Sequence, residues 1–172
     1  MKALLCLSSI ALLVVLLDPA SAQNSAETRA TLIDLAGVSI YVEPPAKALE
    51  EKGMTDFVLE VEVERRLKEA GVPVLDFDIQ DPPPGMPTLY LEVTAVIDEA
   101  VEQISYAIRL ELTQSVRLER DPTSDGLYAP TWSVGGVGVY AKGWREAIID
   151  DVLSYTDQFI NAYFSANPDA KP

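Results

Sequence analysis

The sequence contains no histidine and only one cysteine, Cys6. Without histidine there is no Ser-His-Asp triad, and without a second cysteine there is no disulfide within the chain. A zinc site built from the usual histidine and cysteine ligands is excluded for the same reason. Of the groups that commonly carry catalysis, carboxylates remain.

Basic residues are also scarce. The 172 residues include 13 Lys and Arg against 27 Asp and Glu, which gives a net charge of −14. An acidic surface of this size repels nucleic acid and anionic lipid head groups, so neither is expected as a partner. Solubility outside the cytoplasm accounts for the acidity, and a cationic partner is the alternative explanation.

The amino-terminal residues have the pattern of an export signal. Lys2 precedes an apolar stretch, Ala3–Leu17, and Ala20–Ala22 supplies the small residues of a cleavage site. The stretch of about 15 residues is short against the roughly 20 that span a bilayer, which favours cleavage over an uncleaved anchor. Because Cys6 precedes most of the apolar stretch, it is not a lipidation site. Residues 1–22 are therefore predicted to be a signal peptide, and the mature protein to be periplasmic or secreted with no stable membrane anchor.

Residues 23–172 have the length of one domain. Residues 23–31 are predicted to be a disordered leader, 32–43 a strand, and 47–53 a connector or single helical turn. Residues 55–70 are ambiguous, because glutamates alternate with apolar residues as in a strand. Thr55 as an amino-terminal cap and Gly71 as a terminator favour a helix, and we predict a helix there.

The second half of the chain reads as strands followed by one long helix. Strands are predicted over 72–79, 88–97, 104–120 and 127–140, with turn residues between the last two. Gly135, Gly136 and Gly138 are expected to mark a bulge or kink. An amphipathic helix is predicted over 144–166, and residues 168–172 form a polar tail.

This order of elements predicts an α+β fold over residues 32–167. Each long strand has one apolar face and one polar face, as in an open antiparallel sheet with water on one side. We therefore expect a two-layer sandwich, in which a mostly antiparallel sheet of four or five strands packs two helices on one face.

Carboxylates offer two possible chemistries. Asp76, Asp78 and Asp81 are close enough in sequence to share a cation such as calcium, but they lack the glycine and distal glutamate of an EF-hand loop. A solvated strand end is the simpler interpretation, so we predict neither a metal nor a cofactor. A glycosidase-like hydrolase could use two carboxylates about 5–10 Å apart, although no pair stands out in the sequence.

Tyr128, Pro130 and Trp132 form a cluster where the last hairpin returns. Exposed aromatic residues of this kind are enriched at the centres of protein interfaces. Packing against the final helix is the alternative, and it is the one the pattern favours. If the cluster is exposed, these three residues are the candidate binding site.

Six segments carry a resemblance that spans the mature chain: VSIYVEPP, EAGVPVL, PTLYLEVTAV, YAIRLELTQSVRLERD, APTWSVGGVG and FINAYFSANP. In these segments the chain resembles small exported bacterial proteins of unassigned activity. Its order of elements is also similar to the amino-terminal domain of TolB-type periplasmic proteins and to envelope-assembly accessory lipoproteins. The resemblance implies a non-catalytic role in the cell envelope that depends on binding. This chain departs from the lipoproteins because no cysteine follows the signal.

The sequence therefore predicts an exported, soluble, non-catalytic binding or accessory protein of the bacterial envelope. Its expected partner is another envelope protein, held by a sheet edge or by the hairpin of Tyr128, Pro130 and Trp132. A carboxylate-dependent, glycosidase-like hydrolase is the alternative.

Overall fold

A computed structural model describes residues 24–76, 82–124, 126–141 and 143–170, and the structural statements below refer to these residues. The predicted signal peptide lies outside them. Within these ranges four α-helices and four strands follow one another along the chain. In order, they are α1 (Ala26–Arg29), β1 (Ser39–Val42), α2 (Lys47–Glu50), α3 (Asp56–Ala70), β2 (Thr88–Asp98), β3 (Gln103–Val116), β4 (Leu127–Tyr140) and α4 (Trp144–Ala166). Within the described ranges, no helix has both the length and the apolar character that crossing a bilayer demands.

The strands form one sheet in the order β1-β2-β3-β4. β2, β3 and β4 are antiparallel neighbours, whereas β1 runs parallel to β2. α3 packs against β1 and α4, and α4 packs against β3 and β4, so both long helices lie on one face of the sheet. The opposite face, which we call the open face, carries the alternate residues of each strand. The predicted α+β fold with two helices on one face of a mostly antiparallel sheet is confirmed.

The ambiguous segment 55–70 forms helix α3. The Thr55 side chain accepts a hydrogen bond from the backbone nitrogen of Val58 at 3.3 Å, and Gly71 ends the helix in a left-handed conformation with φ of 83°. The buried residues of this helix recur at helical spacing and are Leu59, Val63 and Leu67. The glutamate alternation that suggested a strand is therefore coincidental, because the end signals and the helical stripe determine the structure.

α4 forms over the predicted residues and joins the two ends of the domain. Its buried residues face the sheet and include Ile148, Val152, Phe159 and Tyr163. After the helix, the Asn167 side chain donates to the carbonyls of Leu32 and Tyr163 at 2.7 and 3.0 Å and accepts from the backbone of Asp34 at 2.8 Å. This amide thus holds the segment before β1 against the end of α4.

The expectation of a disordered leader over 23–31 is wrong from Asn24 onward. Ser25 caps α1 by accepting from the backbone nitrogen of Thr28, and a 3-10 turn continues to Leu32. Short helical turns are not stable alone. Here they are held because Leu32 is fully buried in the core and Asn24 accepts a hydrogen bond from Trp132.

Two predicted strands are shorter in the structure, and a third forms only a single bridge within its described residues. β1 covers only Ser39–Val42, because Leu32 belongs to the 3-10 turn, Asp34 bonds to Asn167, and Val38 forms only an isolated bridge to Val74. In the predicted strand 72–79 only Val74 forms a bridge, to Val38, and residues 77–79 lie outside the described ranges. β3 ends at Val116 instead of residue 120, because Leu118 and Asp121 turn the chain back.

Candidate binding surface

The predicted site residues Tyr128, Pro130 and Trp132 all lie in β4, but a β-bulge separates them. Trp132 pairs with Leu112, and Pro130 pairs with the next residue of β3, so Thr131 is the extra, unpaired residue. Because side chains alternate along a strand, one extra residue reverses the faces. Tyr128 and Pro130 therefore lie on the open face, and Trp132 lies on the helix face.

Trp132 is part of the core, as the packing interpretation of this cluster expected. It is 1% exposed and meets the ring of Phe159 in α4 edge-on at a centroid distance of 5.4 Å. Its indole nitrogen donates to the side chain of Asn24 at 3.0 Å. In this conformation Trp132 cannot contact a partner, so its role is structural.

Tyr128 and Pro130 are exposed at the hairpin end of the open face. Tyr128 is 53% exposed, and its hydroxyl contacts the sulfur of Met86 in the loop before β2. These two residues keep the accessibility that a binding role requires. Separated from Trp132, they form a smaller surface than the sequence suggested.

The position of the bulge corrects the interpretation of the glycines. Gly136 and Gly138 pair in register with β3, and the irregularity lies at Thr131 instead. A Cβ atom at Gly136 would collide with the hydroxyl of Tyr155, and one at Gly138 would collide with the ring of Tyr106. The glycines are therefore required by two tyrosines that lie close against the helix side of β4.

Tyr106 and Tyr155 lie beside one carboxylate of α4. The hydroxyl of Tyr106 donates to Asp151. Burial, and then this hydrogen bond, raise the pKa of Tyr106, while burial and the charge of Asp151 raise the pKa of Tyr155. These contacts fix α4 against the glycine-rich part of the strand.

β4 is an edge strand with no charged residue over its 14 residues. The amino-terminal segment covers the middle of its outer edge, where Asn24 bonds to Trp132 and the hydroxyl of Thr31 lies 3.4 Å from the carbonyl of Thr131. Beyond this point, backbone hydrogen bonds from residues 134–140 to described residues go to β3. We call residues 134–140 the free edge. Natural sheets usually protect such edges with charges, prolines or covering segments.

The open face beside the free edge is apolar. Val137 and Val139 in β4 are 86% and 55% exposed, and Val96 in β2 is 73% exposed. Register places Val139 and Val96 in one row on either side of Ser105, and Val137 in the next row beside Ala107. Because Ser105 and Ala107 of β3 are small, the side chains of the neighbouring valines project further from the open face than those of β3 do. Sequence alternation could have indicated these exposed valines, but only the strand order shows that they adjoin an edge.

The other half of the open face is polar and internally paired. Tyr41 and Tyr90 stack at 5.7 Å, and the Tyr90 hydroxyl donates to Glu43 at 3.0 Å. Arg109 lies over the Tyr90 ring and donates to Glu92 at 2.7 Å. Burial, followed by the hydrogen bond to Glu43, raises the pKa of Tyr90 to about 12. These groups therefore bond to one another, with Arg109 shared by Glu92 and Glu111, while Glu43 keeps its negative charge beside the Tyr90 hydroxyl.

Of two grooves that described residues line on the helix side, one holds carboxylates, and two of these are ion-paired. The groove of about 280 Å³ between α3 and α4 contains Asp157 and Glu69, which pair with Arg66 and Arg65 at 2.6 and 2.7 Å. The second groove, of about 350 Å³, is lined without a carboxylate. A hydrolase of this type needs two carboxylates directed at one bond.

Only Asp76 of the three aspartates that could share a cation lies among the described residues. Asp76 is exposed, and Asp78 and Asp81 lie outside the described residues. Among the residues that the structure does describe, no three carboxylates come together in a way that would hold a metal ion.

No protein-family model matches the chain, and no curated protein matches it. Among solved structures, the chain is similar to a minor lipoprotein from Acinetobacter baumannii, with 13% sequence identity and a TM-score of 0.35. The match covers 79% of this chain and 95% of that chain. A likeness this slight carries no conclusion about function, so the proposals below depend on the residues described here. The similarity to TolB-type domains stays a prediction.

Proposed function

We propose that this protein is an exported, non-catalytic binding protein of the bacterial cell envelope, and that it captures another envelope protein by strand addition at the free edge, residues 134–140. In strand addition an extended segment pairs with the backbone of an exposed edge strand. Export is proposed on the pattern of residues 1–22, and the envelope setting on the resemblance of the strand and helix segments.

The single observation that carries this proposal is the free edge, residues 134–140 of β4, which no other described strand covers. The strand has no charged side chain, and its free edge has no backbone partner other than β3 among the described residues. Val137 and Val139 belong to this edge and are exposed, so their side chains can contact those of an added strand. A monomeric protein gains nothing from such an edge, which is an aggregation hazard unless a partner covers it.

A binding role has more support than the carboxylate-dependent hydrolase. The carboxylates in the groove between α3 and α4 are held in ion pairs, and Glu92 on the open face is paired with Arg109. The apolar free edge, by contrast, has no described partner that explains it.

Site-specific photo-crosslinking tests the proposal in cells that export the chain. A photoreactive amino acid in place of Val137 is expected to give a discrete adduct with an envelope protein. The matched control carries the same amino acid in place of Phe57, which is exposed and apolar but lies on α3. Val139→Lys, which puts a charge beside the edge, is expected to abolish the adduct from position 137. Equal adducts from both positions, or none from position 137, would reject strand addition.

A further inference from the structure

The free edge ends beside an acidic turn. Ile104 pairs with Tyr140, so the turn between β2 and β3 lies at the end of β4 where the free edge stops. This turn carries Asp98, Glu99 and Glu102, all of them exposed. Among the described residues none of them makes an ion pair, and the one hydrogen bond to these carboxylates is local: Asp98 accepts from the backbone nitrogen of Ala100 at 3.0 Å.

The helix side of the same strand end is acidic as well. Asp151 lies next to Tyr106 and Tyr155, the two side chains that contact Gly138 and Gly136. Asp150 precedes it on α4 and is exposed. A strand added to the free edge would therefore end at a part of the sheet that has carboxylates on the turn and on α4.

Near this end of β4, basic residues are fewer than acidic ones. Arg109 lies in the row of Gly135 and is neutralised by Glu92 at 2.7 Å and Glu111 at 3.7 Å. Lys142 follows the strand in sequence and lies outside the described residues. The whole chain has a net charge of −14. A second copy would bring the same negative charge, so charge complementarity favours a different, cationic partner.

We infer that the free edge binds an extended segment of another protein in which apolar residues alternate along the strand and one or more Lys or Arg residues lie at the end beside the turn of residues 98–102. The apolar side chains of the segment pack on Val137 and Val139, and its basic end is attracted by the charges of Asp98, Glu99 and Glu102, which lie one to two strand spacings of about 5 Å inward from β4. This inference rests on the proposed function, because it names the chemistry of the strand that the edge receives.

Fluorescence anisotropy with synthetic peptides tests the inference on the chain that begins at Gln23. The probe is a labelled peptide of about seven residues, a usual strand length, in which valine and serine alternate and two lysines occupy one end. Its partner probe carries two glutamates in their place. We expect the lysine peptide to bind at least about tenfold more tightly, and the difference to vanish between about 0.01 M and about 1 M salt, where the screening length falls from roughly 30 Å to roughly 3 Å.

Three variants separate the contributions. The combined change Asp98→Asn, Glu99→Gln and Glu102→Gln is expected to reduce the preference for lysine to less than about threefold, since it removes the charges and keeps similar shapes. Val137→Lys is expected to abolish binding of both peptides. Phe57→Lys introduces the same charge on α3 and is expected to leave binding unchanged.

The outcomes distinguish this inference from the proposed function. If both peptides bind equally and only Val137→Lys prevents binding, the basic end is wrong while strand addition stands. If the chain is instead a dimer that Val137→Lys dissociates, the occupant is a second copy and the inference is overturned. If neither peptide binds and position 137 gives no adduct in cells, the inference and the proposed function both fail.

Discussion

Replacing Trp132 with alanine is expected to lower the free energy of unfolding by about 4 kcal/mol. Truncation of a fully buried aromatic residue typically costs about 3–5 kcal/mol. The edge-on contact with Phe159 contributes about 1 kcal/mol of this, and the indole hydrogen bond to Asn24 about 1 kcal/mol more. Asn24 keeps a second partner, because Arg29 donates to the same oxygen at 2.7 Å, so no polar atom is left unpaired.

Urea unfolding followed by far-ultraviolet circular dichroism measures this loss without depending on tryptophan emission. Tyr128→Ala is the matched control, since this exposed residue on the other side of the bulge is expected to change the unfolding free energy by less than about 0.5 kcal/mol. Trp132→Phe keeps most of the packing and is expected to cost about 1–2 kcal/mol, which keeps the test informative if the alanine variant does not fold. A loss below about 1 kcal/mol for Trp132→Ala would refute the placement of Trp132 in the core.

Three further predictions follow from the caps, the glycines and the tyrosines. Thr55→Ala is expected to lower the unfolding free energy by about 1 kcal/mol in urea titrations, whereas a loss near zero would show that the cap is not formed. Gly136→Ala is expected to lower the unfolding free energy by about 1–3 kcal/mol. Adding Tyr155→Phe should recover part of this loss, since the new methyl group then meets no hydroxyl. Recovery of none of it would contradict the close approach of Tyr155 to Gly136. Folding raises the pKa of Tyr90, so stability depends on pH through this residue. The contribution is fully present below pH 10.0, the ordinary tyrosine pKa, and is lost as pH rises towards about 12. Stability measured over that interval should therefore fall less steeply in Tyr90→Phe, and parallel curves would contradict the assignment.

Local signals in the sequence predict most of the elements. Thr55 and Gly71 mark the ends of α3, and the alternation in β2 and β3 gives their inward faces, because caps and strand period depend only on residues close in sequence. The predicted lengths of β1 and β3 were too great because pairing depends on a neighbouring strand. Ser39–Val42 has β2 as its neighbour, whereas Asp34 and Val38 before it bond to Asn167 and Pro73 instead.

The binding surface could be predicted only in part. The sequence indicates an exposed sheet edge and an aromatic cluster, but not that Thr131 is an unpaired residue. The bulge depends on pairing between Leu112 and Trp132 across the hairpin, for which the local sequence has no marker. Gly136 and Gly138 suggested a bulge nearby, yet their small size serves Tyr155 and Tyr106, which are distant in sequence.

The parallel pairing of β1 with β2 also determines how the molecule assembles. Ser39 lies beside Thr88, 49 residues further along the chain, whereas β2, β3 and β4 are joined in sequence as successive hairpins. Contacts between distant residues form late in folding, because closing the long loop between them costs entropy. The three-stranded meander is thus expected to form first, while the edge of β2 that later pairs with β1 is still unpaired. Until β1 docks, the folding chain has two unpaired sheet edges, one on β2 and one on β4. The slowest step, the docking of β1, covers the edge of β2, and the free edge of β4 stays open in the folded protein.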